Sequence, residues 1–129
     1  MLKGFEQETD ELNAEEMAYI PALIEGFKNH GEDDPIKAPE IVVAMNQYLV
    51  SKGASIRMTE PRLRKMVHHI RSCGLLPLMA TSKGYFVSYN MEVIKNQVES
   101  LKQRANSIRT SAEGLEKFIM PKTENTKKK

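Results

Sequence analysis

Apolar and polar residues alternate along this chain with two periods, and the places where the period changes mark its elements. Met17, Ile20, Leu23, Ile24 and Phe27 recur at helical spacing, which predicts a first amphipathic helix. Asn13 is a good N-cap, Glu16 stands three residues on as in a capping box, and Leu12 is placed to staple onto Met17. Pro21 falls inside this pattern and is expected to bend the helix, which Gly31 ends. Ile36 to Ala38 reads as a short extended stretch. Pro39 suits the first position of a second helix, whose stripe is Ile41, Val42, Met45, Tyr48 and Leu49 and which Gly53 closes. Thr59 caps a third helix, with Glu60 and Pro61 in its first turn, a buried face of Leu63, Met66, Val67 and Ile70, and a stop at Gly74. Leu75 to Ala80 and Gly84 to Tyr89 then have strand-like composition, and the turn signal Thr81-Ser82-Lys83-Gly84 joins them into a hairpin.

Asn90 opens a long last helix with no proline before Pro121. Ile94, Val98, Leu101, Ala105, Ile108, Ala112, Leu115 and Ile119 follow one another by alternating steps of four and three, a heptad seam. A helix of about 29 residues extends near 43 Å, more than a small domain covers, so the seam predicts a homodimer. The first part of the seam, Ile94, Val98 and Leu101, has the alternative of folding back on the first helix. The flanking charges Lys95, Lys102, Arg104 and Arg109 leave the orientation of a pair open.

Composition narrows the class. The chain has 129 residues, 40% hydrophobic and 28% charged, which suits one globular domain with its own core. No apolar run approaches the roughly 18 residues of a membrane helix, and the acidic stretch Met1 to Glu11 argues against a signal peptide. The single cysteine, Cys73, excludes an internal disulfide and fits a reducing, cytoplasmic setting. Net charge is only +2, yet it is unevenly spread. Residues 1–34 carry ten acids against two bases, whereas residues 52–83 carry seven bases against one acid. Basic charge gathered in one stretch is the footprint expected of a nucleic-acid contact.

The third helix shows where that contact would lie. Opposite Leu63, Met66, Val67 and Ile70, a 100° period places Pro61, Lys65, His68, His69 and Ser72, with Arg62 and Arg64 on the flanks. Arginine and lysine hold phosphates or donate to guanine, and histidine and serine reach base edges. The order of helices, short strand and hairpin, with the segment PRLRKMVHHIRSCGLLPLMATSKGYFVS from Pro61 to Ser88, resembles the winged helix-turn-helix family of DNA-binding proteins. It is similar in particular to small winged-helix proteins of bacteriophages and prophages. The likeness covers about Asn13 to Tyr89 and implies a mainly helical α+β fold of three helices and a β-hairpin wing, followed by the long C-terminal helix. It implies a recognition helix and a wing tip, Ser82-Lys83-Gly84, lying along the phosphate backbone or in the minor groove.

The expectation is a non-enzymatic protein of phage or mobile-element type, a regulator or replication accessory factor. It binds double-stranded DNA through Arg62, Arg64, Lys65, His68, His69, Ser72 and Lys83. The alternative is a protein-interaction module that uses the long helix. The expected organisation is an acidic segment 1–11, a winged-helix domain 12–89, a dimerising helix 90–120 and a basic tail 121–129. No cofactor, metal, membrane or small-molecule ligand is expected. His69 and Cys73 have a ligand-like spacing but lack further partners, and Glu32-Asp33-Asp34 reads as a solvated turn. There is no glycine-rich phosphate loop and no nucleophile motif. Cys73 is expected to be buried or half-buried, and of Tyr85 and Phe86 one is expected on the core and the other at the surface.

Overall fold

Asn13 begins the first helix as its position predicts. Its side chain accepts the Glu16 N–H at 2.7 Å, and the Glu16 carboxylate accepts the Asn13 N–H at 3.0 Å. The computed structural model describes residues 11–119, so the acidic residues 1–10, the last residue of the expected helix 90–120 and the tail 121–129 lie outside the described part. The single helix expected after Asn13 is two helices, α1 (Ala14–Ala18) and α2 (Ile20–Phe27). Pro21 has no N–H to give the Met17 carbonyl, so the ladder breaks there and Tyr19 takes a non-helical conformation. Proline thus sits in the first turn of α2, where a missing donor costs nothing. Met17 is exposed rather than part of a buried stripe, whereas Leu12 packs against the core.

The following elements are α3 (Ala38–Ser51), α4 (Glu60–Ser72), β1 (Leu78–Thr81), β2 (Gly84–Val87) and α5 (Met91–Glu116). Together they make a mainly helical α+β architecture with one antiparallel hairpin. The apolar stripes converge as their spacing predicts. Leu23 and Phe27 of α2, Leu49 of α3, Leu63, Met66 and Ile70 of α4, and Leu78 of β1 form one buried cluster. Burying each such side chain contributes about 1.5–3 kcal/mol before entropy is charged against it. Tyr48, expected in the stripe of α3, is partly exposed and stands edge-on to Tyr19 at 6.3 Å.

The hairpin pairs Leu78 with Val87, Met79 with Phe86, Ala80 with Tyr85 and Thr81 with Gly84. Leu78, Tyr85 and Val87 face the helical core, and Tyr85 meets Phe27 with ring centroids 5.6 Å apart. Met79 and Phe86, on the opposite face, are also buried, which corrects the expectation that one of the two aromatics is at the surface. The extended stretch before α3 joins the sheet. Ile36 exchanges both backbone hydrogen bonds with Tyr85, at 2.9 and 2.8 Å, so β2 runs between β1 and Ile36. Gly84 is required by that approach: a Cβ there would lie 2.6 Å from the Ile36 carbonyl oxygen, and its φ is +128°.

The chain divides into two compact units between Asn90 and Met91. The second contains α5, which buries no residue completely. Its α-helix stops at Glu116, so Ile119 falls in the turn that follows and not on the helical seam. No helix among the described residues is long and apolar enough to cross a membrane.

Candidate nucleic-acid interface

The connection from α3 to α4 is held at several points, and that fixes the direction of α4. Asn46 of α3 uses both ends of its amide on one residue: Oδ1 accepts the Met58 N–H at 2.6 Å and Nδ2 donates to the Met58 carbonyl at 3.1 Å. Thr59 caps α4 by accepting the Arg62 N–H at 3.2 Å. Arg57 donates back to the Ala54 and Ile56 carbonyls, and Arg62 in turn donates to the Arg57 carbonyl at 2.8 Å.

Glu16 provides the strongest anchor, and it changes the roles of two expected DNA contacts. Its side chain is 1% exposed, yet it is ionic. One carboxylate oxygen accepts from Arg62 Nε at 2.7 Å and the other meets Lys65 Nζ at 3.0 Å. Burial by itself would raise the pKa of this carboxyl, because it disfavours the ionised form. The bonds from Arg62, from the Asn13 backbone and from Lys65 outweigh burial and hold it below the ordinary carboxylate value. Lys65 was expected on the outer face of the helix. It is instead half-buried, one turn from Arg62, with its charge turned to α1. The acidic N-terminal half therefore does not stand wholly apart from the basic helix.

Three of the expected contacts line one exposed row of α4: Arg64, His68 and Ser72, spaced by four. Arg64 makes no ion pair among the described residues. The Ser72 hydroxyl donates back to the His69 carbonyl at 3.4 Å. His69 is half-buried, with its ring nitrogens 3.9 Å from Cys73 Sγ. Cys73 is exposed at the end of α4, not buried as expected, because it is the C-cap and has left the apolar stripe. After Glu60 in its first turn, α4 carries no acid.

Lys83 is exposed at the hairpin tip, where its N–H donates to Thr81 Oγ1 at 3.1 Å. Lys37, which sequence reasoning did not single out, is brought to the same turn and donates to the Ser82 carbonyl at 3.4 Å. The pairing of Ile36 with β2 places it there, and only the extended character of residues 36–38 hinted at this. Glu16 is half of a capping box by its spacing from Asn13. Its second oxygen had a signal too, since Glu16, Ile20, Leu23 and Phe27 follow the spacing of one inward stripe. No group of three or more metal-ligating side chains occurs among the described residues.

Along α5, Val98, Leu101, Ala105, Ile108, Ala112 and Leu115 are all exposed, and Ile94 is half-buried. Ile108 is 68% exposed and Leu115 67%. Comparison of the chain with protein-family models, with curated proteins and with solved structures finds no match.

Proposed function

We propose that this protein is a winged-helix DNA-binding protein that meets duplex DNA with α4 and the tip of the β1–β2 hairpin, and that it pairs through α5. The observation that carries the reading is the outward row of α4. Arg64, His68 and Ser72 stand exposed on a helix that is pinned at its start by Asn46, Thr59 and Glu16. A rigid helix presenting a cation, an imidazole and a hydroxyl suits groove recognition, because the side chains need not be ordered together with their support. Antiparallel pairing of Ile36, β2 and β1 supports the wing assignment, and Lys37 and Lys83 give its tip two cations to set against phosphates.

Within this reading six of the seven expected contacts divide into two groups, and His69, half-buried beside Cys73, joins neither. Arg64, His68, Ser72 and Lys83 are the direct contacts. Arg62 and Lys65 hold the helix and add positive field, since their charges are already spent on Glu16. The process served is that of a regulator or replication accessory factor of a phage or mobile element. Fluorescence anisotropy with a random-sequence duplex tests the assignment. Arg64→Ala and Lys83→Ala should each weaken binding to every sequence and lower the salt slope by about one. Unchanged affinity in the double variant contradicts it.

A second reading has its own observation. Val43 and Val50 of α3 are 58% and 57% exposed, and with Gln47 they form a face without charge. That face suits a protein partner. Val43→Asp would abolish partner binding on this reading and leave DNA affinity intact on the first.

A further inference from the structure

The seam of α5, exposed except at the half-buried Ile94, contains residues of two sizes, and their order selects a partner. Met91, Val98, Ala105 and Ala112 occupy one set of core positions, and Ile94, Leu101, Ile108 and Leu115 the other. A second copy laid parallel sets each residue against itself. Ala105 then faces Ala105 and Ala112 faces Ala112, which leaves two thin layers in the seam. A second copy laid antiparallel sets one group of positions against the other. In the register that overlaps the whole helix, Ala105 faces Leu101, Ala112 faces Ile94, Val98 faces Ile108 and Met91 faces Leu115. Every alanine then meets a large side chain, and no layer is made of two small residues.

The borders of the seam carry the opposite tendency. Lys95, Lys102, Arg104 and Arg109 flank it, with Glu116 the one flanking acid, at the helix end, and the acids Glu92, Glu99 and Glu113 lie one position farther round the helix. In the antiparallel register Lys102 comes beside Lys102, Arg104 beside Arg104, and Lys95 beside Arg109 at two places. Like charges set together in this way oppose pairing, and because they are solvent-exposed, salt screens them.

We propose that α5 pairs antiparallel with a second copy of this chain in the register Ala105 to Leu101, and that the pair is weak at low ionic strength and tightened by salt. This rests on the reading of α5 as a self-associating helix. It predicts a dependence opposite in sign to that of DNA binding, which salt weakens. The two associations are therefore separable in one buffer series.

The experiment uses the full chain. Sedimentation equilibrium at 50 and 500 mM NaCl should show the dimer dissociation constant falling about tenfold at the higher salt. Mild oxidation of single-cysteine variants in a Cys73→Ser background reports the direction. Arg104→Cys should become disulfide-linked, because residue 104 lies beside its own copy only in the antiparallel pair. Ile108→Cys should not, because residue 108 meets itself only in the parallel one. Both positions are exposed in the single chain, so neither change disturbs its own fold. A dimer that salt weakens or leaves unchanged, or linkage through the Ile108→Cys variant alone, overturns the inference and leaves self-pairing standing. A chain that stays monomeric at both salts up to 100 μM overturns self-pairing as well, and DNA binding is then judged by its own salt dependence.

Discussion

Replacing Glu16 by glutamine removes one negative charge from beneath α4 while keeping the side chain's shape. The carboxylate is 1% exposed and takes bonds from Arg62 at 2.7 Å, Lys65 at 3.0 Å and the Asn13 backbone at 3.0 Å. Glutamine can keep the bonds from Asn13 and Lys65 with its carbonyl oxygen, but its amide NH2 then faces the Arg62 donor, and neither cation has a negative charge to meet. Arg62 and Lys65, whose side chains are 28% and 30% exposed, recover part of the loss through water. One charge-assisted network partly compensated in this way amounts to about 1.5–3 kcal/mol at neutral pH. The pH dependence has a definite sign. The carboxyl is held below its ordinary value in the folded state, so its stabilisation is complete above the unfolded value, about 4.3. That stabilisation is lost as pH falls through the folded value, when wild type too becomes neutral at this site. Urea unfolding followed by circular dichroism should therefore show a gap between wild type and Glu16→Gln at pH 7 that narrows on acidification below about pH 4. A gap under about 0.5 kcal/mol at pH 7, within the spread of ordinary surface changes, or one that widens in acid, would refute the reasoning.

Other consequences are simpler. Glu16→Gln should tighten binding to any duplex and steepen its salt dependence, because it frees two cations; weaker binding by a folded variant would count against the proposed face. Gly84→Ala should destabilise the fold by more than about 2 kcal/mol in chemical unfolding, since its Cβ meets backbone atoms and its φ is one that alanine rarely adopts. Asn46→Ala should cost about 1–3 kcal/mol, because the Met58 N–H and carbonyl lose their partner together. Lys65→Ala should lower stability more than Arg64→Ala does, although both remove one positive charge, because only Lys65 is bonded to a buried group.

Most of the architecture was legible in one-dimensional patterns. The stripes of α2, α3 and α4 and the turn signals at Gly53, Gly74 and Gly84 located the elements because local periodicity and turn chemistry act within a few residues. Pro21 signals an interruption by its residue type, but it opens a second helix, and only the geometry of Tyr19 distinguishes a break from a bend. What one sequence did not disclose was long-range. Glu16 and Lys65 are 49 positions apart, and neither residue type announces its partner. A basic residue on the outer flank of a helix stripe therefore looked available for DNA when α1 had already engaged it. Likewise Lys37 reaches the hairpin tip only because Ile36 pairs with Tyr85, a contact set by tertiary packing and not by either segment's propensity.

The central claim, that the exposed row of α4 and the hairpin tip meet the backbone of duplex DNA, has a direct test in the salt dependence of wild-type binding. Anisotropy titrations with a random-sequence duplex between 50 and 200 mM NaCl give the slope of log K against log salt concentration. Several phosphate contacts predict a negative slope of about two or more. A slope near zero, or no binding at 50 mM, would contradict the claim.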